Sequence, residues 1–576
     1  MKILNHRLIT GLSSILLVAF SCLAAPAQVK SAYEYSIQKK VEAGNGAVVS
    51  AHPLASKAGV DMLRKGGNAV DAAIATQLAL AVVYPGAGNI GGGGFLVASM
   101  KDGRKVALDY REKAPSGASR DMYLDGEGKP RFDLSQSGHL ASGVPGTIAG
   151  LFAAHAYAKL PFKTLVQPAI DLAEKGFVIT QREADGLNGT RAAFLKNSTR
   201  PTAFVRDQSW KAGDTLVQQD LANTLKRVRD NGQKGFYEGE TAKLIVEEMQ
   251  RGKGLINLND LRTYKVAVRK PMEFSYKGHT ILSMPLPSSG GIIVEQMLKM
   301  VSGRDLATLG FHSPASVQLI TEAERRAYAD RAEFMGDPDF VKVPVKTLVS
   351  DEYIAKRMAD YRADTAGSST ITKAGVIPHE SEQTTHLSVA DKWGNVVSVT
   401  TTLNGGYGSR TVVGGAGFLM NNEMDDFSIK PGVPNMYGAL GTEANAIAPG
   451  KRMLSSMTPT IVLKGKFPCF VVGTPGGTTI PTSVFQALVN VIDYKMPPDE
   501  AINAPKFHHQ WLPDEVMVEP DFPEQVREAM RKMGYKVTVR GFIGRTDAIQ
   551  LTPDGKGGYR MVAVGDKRGD DHAEGF

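Results

Sequence analysis

Cysteine is nearly missing from this chain: Cys22 and Cys469 are the only two in 576 residues. That excludes a disulfide framework and a Cys-ligated zinc site. Nor is charge of one sign concentrated. The net charge is +8 over the whole length, and no Lys/Arg-rich run is dense enough for a nucleic-acid surface, so no nucleic-acid partner is expected. Aromatic residues make up 7% and charged residues 22%, values that exclude a disordered, collagen-like or coiled-coil chain. Beyond the N-terminus, no stretch approaches the roughly 18 uncharged apolar residues of a membrane span. Gly91 to Gly94 form a four-glycine run, but no Gly-Lys-Ser/Thr follows and a strand comes next, which excludes a phosphate-binding loop. His386, His508 and His509 have no His-Glu-x-x-His beside them, so no metal is expected.

Glycine is in excess, 61 residues of 576, against a usual share of about 7%. Many tight turns, or backbone packed close to something, are implied. The length suggests about four domains at roughly 150 residues each. Residues 1–27 read as an export signal. Lys2 and Arg7 precede the apolar stretch Leu8 to Phe20, and Ala25-Pro26-Ala27 offers small residues for cleavage before Gln28. The chain is therefore expected to be exported, periplasmic or secreted. Lipid attachment at Cys22 would have to use the poor lipobox Ala19-Phe20-Ser21.

The first third reads as α/β. Ala47 to Ser50 is a short strand, Pro53 to Lys65 a helix, and Gly66-Gly67-Asn68 its end. Asp71 caps or opens a second helix, Ala72 to Val83, apolar nearly all round and so buried. Phe95 to Ala98 and Val106 to Tyr110 are strands. Residues 145–365 read mainly as helices and loops, a covering layer. Residues 364–382 lose periodicity and turn polar, where a break in the chain would be easiest.

From residue 384 the pattern becomes strand. Thr385, Leu387 and Val389 alternate with His386, Ser388 and Ala390; Asp391 to Asn395 turns, and Val396 to Leu403 returns. A hairpin closed at Ala390 opposite Val396 puts Thr384 opposite Thr402. A threonine hydroxyl is a weak nucleophile and needs a base. Cutting the chain before Thr384 would create an α-amino group on that residue. Its ordinary pKa of about 7.7–8.0 suits it to take the hydroxyl proton. The alternative reading of Thr384-Thr385 is an ordinary strand start, where threonine is favoured.

The segments downstream bear on that choice. Gln383-Thr384-Thr385-His386 resembles the self-processing junction of the bacterial γ-glutamyltranspeptidases, of the N-terminal-nucleophile hydrolase type. Thr402-Leu403-Asn404, Asn421 to Phe427, Leu454-Ser455-Ser456-Met457 and Thr474-Pro475-Gly476-Gly477 resemble that family's substrate-site motifs, and Asp109-Tyr110-Arg111-Glu112 its carboxylate-binding segment. The resemblance spans nearly all the chain after residue 27. It implies an α+β fold, a four-layer αββα sandwich built from two chains after self-cleavage between Gln383 and Thr384. Residues 28–383 would be the large subunit and 384–576 the small one.

The resemblance also implies roles. Thr384 would attack a γ-carbonyl, with Thr402 supporting it. Gly476 and Gly477 would hold the oxyanion, where a close backbone donor is best without a Cβ. Arg111 would take the α-carboxylate with Ser455 and Ser456 as neutral donors, and Asp426, Glu423 and Asn404 would receive the α-ammonium. An amino-acid head group needs opposite charges held apart, and Arg111 against Asp426 and Glu423 would supply them. Lys430 to Lys451 has no period, and the family's lid loop falls here, with Tyr437 closing the pocket. The glycine-rich Asn404 to Arg410 stretch departs from common bacterial patterns at the acceptor side. Implied donors are glutathione and other γ-glutamyl compounds, and implied acceptors are amino acids, peptides or water. No cofactor is needed. Two alternatives stand beside this reading: a cephalosporin or glutaryl acylase of the same fold, and a non-catalytic exported solute-binding protein. Taken singly, each motif has a plainer reading: a surface ion pair for Arg111, turns for Asp425-Asp426, Ser455-Ser456 and Gly476-Gly477.

Overall fold

The computed structural model describes residues 33–371, 384–436, 438 and 440–576. Residues 1–27, Gln383 and Tyr437 lie outside the described residues. At the centre are two seven-stranded antiparallel sheets. The first runs His572–Gly575, Gly46–Ser50, Thr385–Asp391, Val396–Thr402, Gly93–Ser99, Lys105–Asp109 and Ala267–Arg269 from edge to edge. The second runs Lys40–Ala43, Tyr559–Val564, Asp547–Pro553, Phe467–Gly473, Thr460–Lys464, His279–Ser283 and Met272–Tyr276.

Successive strand side chains point to opposite faces, and this sorts the core into layers. Ala47, Val49, Phe95 and Val97 of the first sheet meet Leu282, Ile461, Val471 and Ile549 of the second in one apolar cluster. Their neighbours Val48, Leu96, Ala98, Leu387 and Val389 face the other way. There they pack with the helices Pro53–Arg64, Ala69–Val83 and Phe162–Lys175. The helices Gly290–Ser302, Pro314–Phe334 and Thr479–Ile492 cover the outer face of the second sheet through Ile281, Val462, Phe470 and Val472. The result is the expected αββα sandwich, and the described residues form one unit rather than the four domains suggested by length.

Local expectations fared unevenly. All 15 residues of Ala69–Val83 are buried, as the all-apolar pattern requires. The helix start differs. Asn68 is not the end of the preceding helix but the cap of this one, and Asp71 completes a capping box with it. The helical middle also contributes three strands to the central sheets, Ala267–Arg269, Met272–Tyr276 and His279–Ser283, besides the separate pair Phe177–Val178 and Thr215–Leu216. The first two are short edge strands with exposed positions and carry no apolar run, while His279–Ser283 lies inside its sheet with only Ile281 and Leu282 as buried apolar residues. Between 430 and 451, the described residues hold only the short 3-10 turn Glu443–Asn445, in keeping with the missing period.

The hairpin closes in the expected register, with Ala390 opposite Val396 and Thr385 opposite Thr401. Its strands are central in the first sheet, bordered by Gly46–Ser50 and Gly93–Ser99. The glycine run thus flanks the hairpin. A Cβ on Gly93 would lie 2.5 Å from Tyr110 O and 2.6 Å from Glu112 Oε2, so part of the glycine excess lets the Arg111 segment approach the Thr402 strand.

Candidate active site

Thr384 sits just before its strand, 5% exposed. Its Oγ1 donates to Thr402 Oγ1 across 3.5 Å, and the Asn404 N–H donates to the same Thr402 oxygen at 2.7 Å. Asn404 holds a left-handed backbone, φ 73°, and its Nδ2 donates to Asn422 O at 3.0 Å. The second strand therefore ends in a turn that fixes the hydroxyl beside Thr384.

A second turn approaches from the other sheet. The strand Phe467–Gly473 leads through Thr474 to Gly477 into the helix Thr479–Ile492. Gly476 has φ 139°, and a Cβ there would meet Thr479 Oγ1 at 2.4 Å, so only glycine fits. Gly477 has φ 55°. Among the described residues, neither glycine N–H donates to another protein group. Both amides stand at the N-terminal, positive end of a buried helix, a place suited to a developing oxyanion.

A cavity of about 30 Å³ opens beside Thr384. Around it are Arg111, Thr402, Asn404, Glu423, Asp426, Ser455, Ser456 and Gly477, the residues drawn from separate motifs, together with Arg331 and Asn435. Asn421 braces the acidic turn: its Nδ2 donates to Gly91 O and Gly143 O, and its Oδ1 accepts from Glu423 N–H. Asp425 faces away, accepting from Ser135 Oγ and from Met436 N–H, which ties the 430–451 loop to this turn.

The charges are not held apart. Arg111 Nη2 donates to Asp426 Oδ2, and Nη1 lies 2.6 Å from Glu423 Oε2. The second contact is an ion pair by distance, although its geometry makes no hydrogen bond. With Arg111 and Glu423 buried and Asp426 nearly so, leaving a carboxylate unpaired in this volume would be costly, and the guanidinium closes on both. Burial lifts the carboxyls of Glu423 and Asp426 above their usual range, against the pull of Arg111. Glu112, 3.7 Å from Arg111 Nη1, is pushed up to about 8 by burial.

The two serines are set as donors. Ser455 Oγ accepts from Met457 N–H and Ser456 Oγ from Arg331 Nη2. Among the described residues neither hydroxyl donates to a protein group, so both protons are available to an anion in the cavity. Asn435 Nδ2 donates to Asp426 Oδ1 at 3.1 Å and brings the 430–451 loop to the pocket. Asn435 and Arg331 went unseen in the sequence. The first lies in a stretch without period, the second in a helix whose charges look like a solvated face. The three tempting histidines are locked elsewhere: His386 between Thr400 and Ser388, His508 between Thr482 and Gln510, His509 beside Asp514.

On the far side of Thr384 lies a larger cavity of about 340 Å³, lined by Gly476, Tyr84, Phe177, Arg545 and Phe542 among others. A hydroxyl and two free amides thus stand where a charged pocket meets a roomier one. That arrangement suits acyl transfer from an amino-acid-like donor.

A family profile described as gamma-glutamyltranspeptidase matches residues 55–576. The glutathione hydrolase proenzyme of Escherichia coli (strain K12) is 46% identical over 544 residues, covering 93% of this chain and 94% of that protein. Among solved structures, the Helicobacter pylori gamma-glutamyltranspeptidase is 43% identical, with TM-score 0.56, over 59% of this chain and 96% of that one. The cephalosporin acylase from Bacillus halodurans has TM-score 0.81 at 26% identity, over 97% of this chain and 99% of that one.

Proposed function

The chain belongs to the gamma-glutamyltranspeptidase family, and from that premise and the pocket at Thr384 we propose that it is a self-processing γ-glutamyltransferase and glutathione hydrolase. The observation that carries the reading is the convergence of Arg111, Asp426, Glu423, Ser455 and Ser456 beside Thr384. A γ-glutamyl donor presents one carboxylate and one ammonium on its α-carbon, and the pocket holds the complementary groups already paired with each other. Donor binding then exchanges the Arg111–Asp426 and Arg111–Glu423 pairs for pairs with the donor's own carboxylate and ammonium. Arg111 releases Asp426 and Glu423 to the ammonium and turns to the carboxylate, with both serine hydroxyls donating to it.

The precursor breaks when Thr384 Oγ1 attacks the carbonyl of Gln383. The peptide C–N bond breaks, the freed amine takes a proton, and water hydrolyses the resulting ester. The chain becomes residues 28–383 and 384–576, held in one sandwich. In turnover the α-amino group of Thr384 accepts the hydroxyl proton as the oxygen attacks the γ-carbonyl. The Gly476 and Gly477 amides stabilise the oxyanion, the leaving amine takes the proton, and a γ-glutamyl ester remains on Thr384. Water, an amino acid or a peptide then takes the γ-glutamyl group. The larger cavity is where the leaving amine departs and the acceptor arrives. Tyr437, from the loop that Asn435 ties to Asp426, serves as the lid, and residues 1–27 direct export.

The proenzyme name of the Escherichia coli relative supports processing and glutathione as donor. An acylase acting on side chains without an α-amino acid head would have no use for Asp426 opposite Arg111. A denaturing gel of purified protein, with N-terminal sequencing of the smaller band, tests the proposal. Two bands with Thr384 first in the smaller one, and γ-glutamyl release from glutathione, are expected. One uncut band that persists on incubation would favour a binding protein and overturn the proposal.

A further inference from the structure

Six arginines are buried among the described residues. Arg111, Arg325, Arg326, Arg452 and Arg568 each form an ion pair with a carboxylate. Arg331 does not. It projects from the helix Pro314–Phe334 into the wall of the small cavity, and its partners among the described residues are hydroxyls: Nε donates to Ser289 Oγ at 3.1 Å and Nη2 to Ser456 Oγ at 3.2 Å. A buried guanidinium with only neutral partners is costly. Burial pushes it below its usual range. Asp426 acts on it through space but is already engaged by Arg111.

Hydroxyl bookkeeping gives this cation a direction. An arginine can only donate, so Ser289 Oγ and Ser456 Oγ must both accept from it. The Ser289 proton is used on Ser455 O, 2.8 Å away. Among the described residues the Ser456 proton has no such partner, and its hydroxyl borders the cavity. Arg331 therefore holds Ser456 in the one orientation in which it donates to an anion.

We propose that Arg331 is a second determinant of the donor's α-carboxylate, a positioning residue that sets Ser456 as a donor and supplies the positive charge that Arg111 shares with Asp426 and Glu423. This rests on the γ-glutamyl reading of the pocket and assigns it a part beyond Arg111.

The test crosses the protein with the donor. The unaltered protein and R331Q are assayed on a γ-glutamyl anilide and on the same anilide with its α-carboxylate converted to a carboxamide. R331Q is expected to lower kcat/KM for the carboxylate donor ~10- to 100-fold, mostly through KM. For the carboxamide donor, the loss should be less than about threefold. R331K should recover part of the loss, since it restores charge without the fork. Equal losses on both donors, or no loss on either, overturn the proposal. If R331Q is not recovered folded and cut, R331K carries the test, with a loss confined to the carboxylate donor expected and equal losses overturning it. If the unaltered protein turns over neither donor, the γ-glutamyl reading itself falls, and this inference falls with it. Activity in the unaltered protein with unselective R331 variants overturns this inference alone.

Discussion

On the Arg111 side of Thr384 the cavity is about 30 Å³ and its walls are charged; on the Phe177 side it is about 340 Å³, with an apolar floor of Phe177, Ile179, Leu187 and Leu216. Charged groups occur in both, but they are satisfied differently. Arg568, beside the large cavity, is held by both oxygens of Glu519 at 2.6 Å and by Asp566. Around the small cavity, among the described residues, Glu112 and Glu423 have oxygens without hydrogen bonds, two serine protons are uncommitted, and Arg331 pairs with no carboxylate. Asp571, 3.9 Å from Arg545 on the large-cavity side, also has oxygens without hydrogen bonds, so the difference lies in the arginines, and a buried cation without a carboxylate gains by accepting a ligand of opposite charge. The small cavity should thus select its occupant sharply. The large one should discriminate weakly, as apolar pockets do.

That contrast can be broken at its shared point first. Thr384→Ala should stay uncut and lose activity by ~10⁴-fold or more, read by gel and by anilide release; turnover by the uncut variant would remove Thr384 from the chemistry. Next, Asp426→Ala takes one of the carboxylates from Arg111, leaving Glu423, and removes a proposed partner of the ammonium. Transfer and hydrolysis should both fall, kcat/KM by ~10²- to 10³-fold, with the chain still cut. Unchanged γ-glutamyl turnover would contradict the role given to that carboxylate. On the other side, Phe542, a 57%-exposed ring at the rim of the large cavity, should matter little. Phe542→Ala is expected to slow transfer to apolar acceptors about threefold and leave hydrolysis unaltered. An equal loss in hydrolysis would show that the two cavities do not divide the work.

The smallest effect concerns Glu112. Its carboxyl is raised from 4.5 to about 8 by burial, so between those values the folded protein holds a proton that the unfolded chain has released. The stabilisation is full below about 4.5 and is lost as pH rises through about 8. Glu112→Gln mimics the protonated acid and escapes that loss. Its Tm should match the unaltered protein near pH 4 and exceed it by a few degrees at pH 9. The same Tm difference at both pH values would mean that the Glu112 carboxyl is not raised.

Much of this was legible without coordinates. The hairpin register follows from alternation and one turn, and it brought Thr402 to Thr384 because a strand has a strict period of two. The buried helix Ala69–Val83 followed from its lack of a polar face. Elsewhere the local signal was too weak. Ala267–Arg269 has three residues at a sheet edge and no apolar pattern. Asn68 could end one helix or begin the next, and only the hydrogen bonds of the capping box decide. Arg331 lies in a helix bearing Glu322, Glu324, Arg325, Arg326 and Asp330, a composition that reads as solvent-facing, yet every one of those residues is buried.

The sequence by itself determined which residues can do chemistry: a threonine at a strand start, a glycine pair, an arginine and an acidic turn, each in its own motif. Those types are dictated by reactivity and backbone sterics, which are local properties. Only the tertiary structure decided that Arg111 rests against Asp426 and Glu423 rather than apart from them, and that a helix from the covering layer delivers a second arginine to the same wall. Charge pairing depends on which distant segments share a low-dielectric volume, and proximity of that kind is set by packing across the sandwich, not by spacing along the chain.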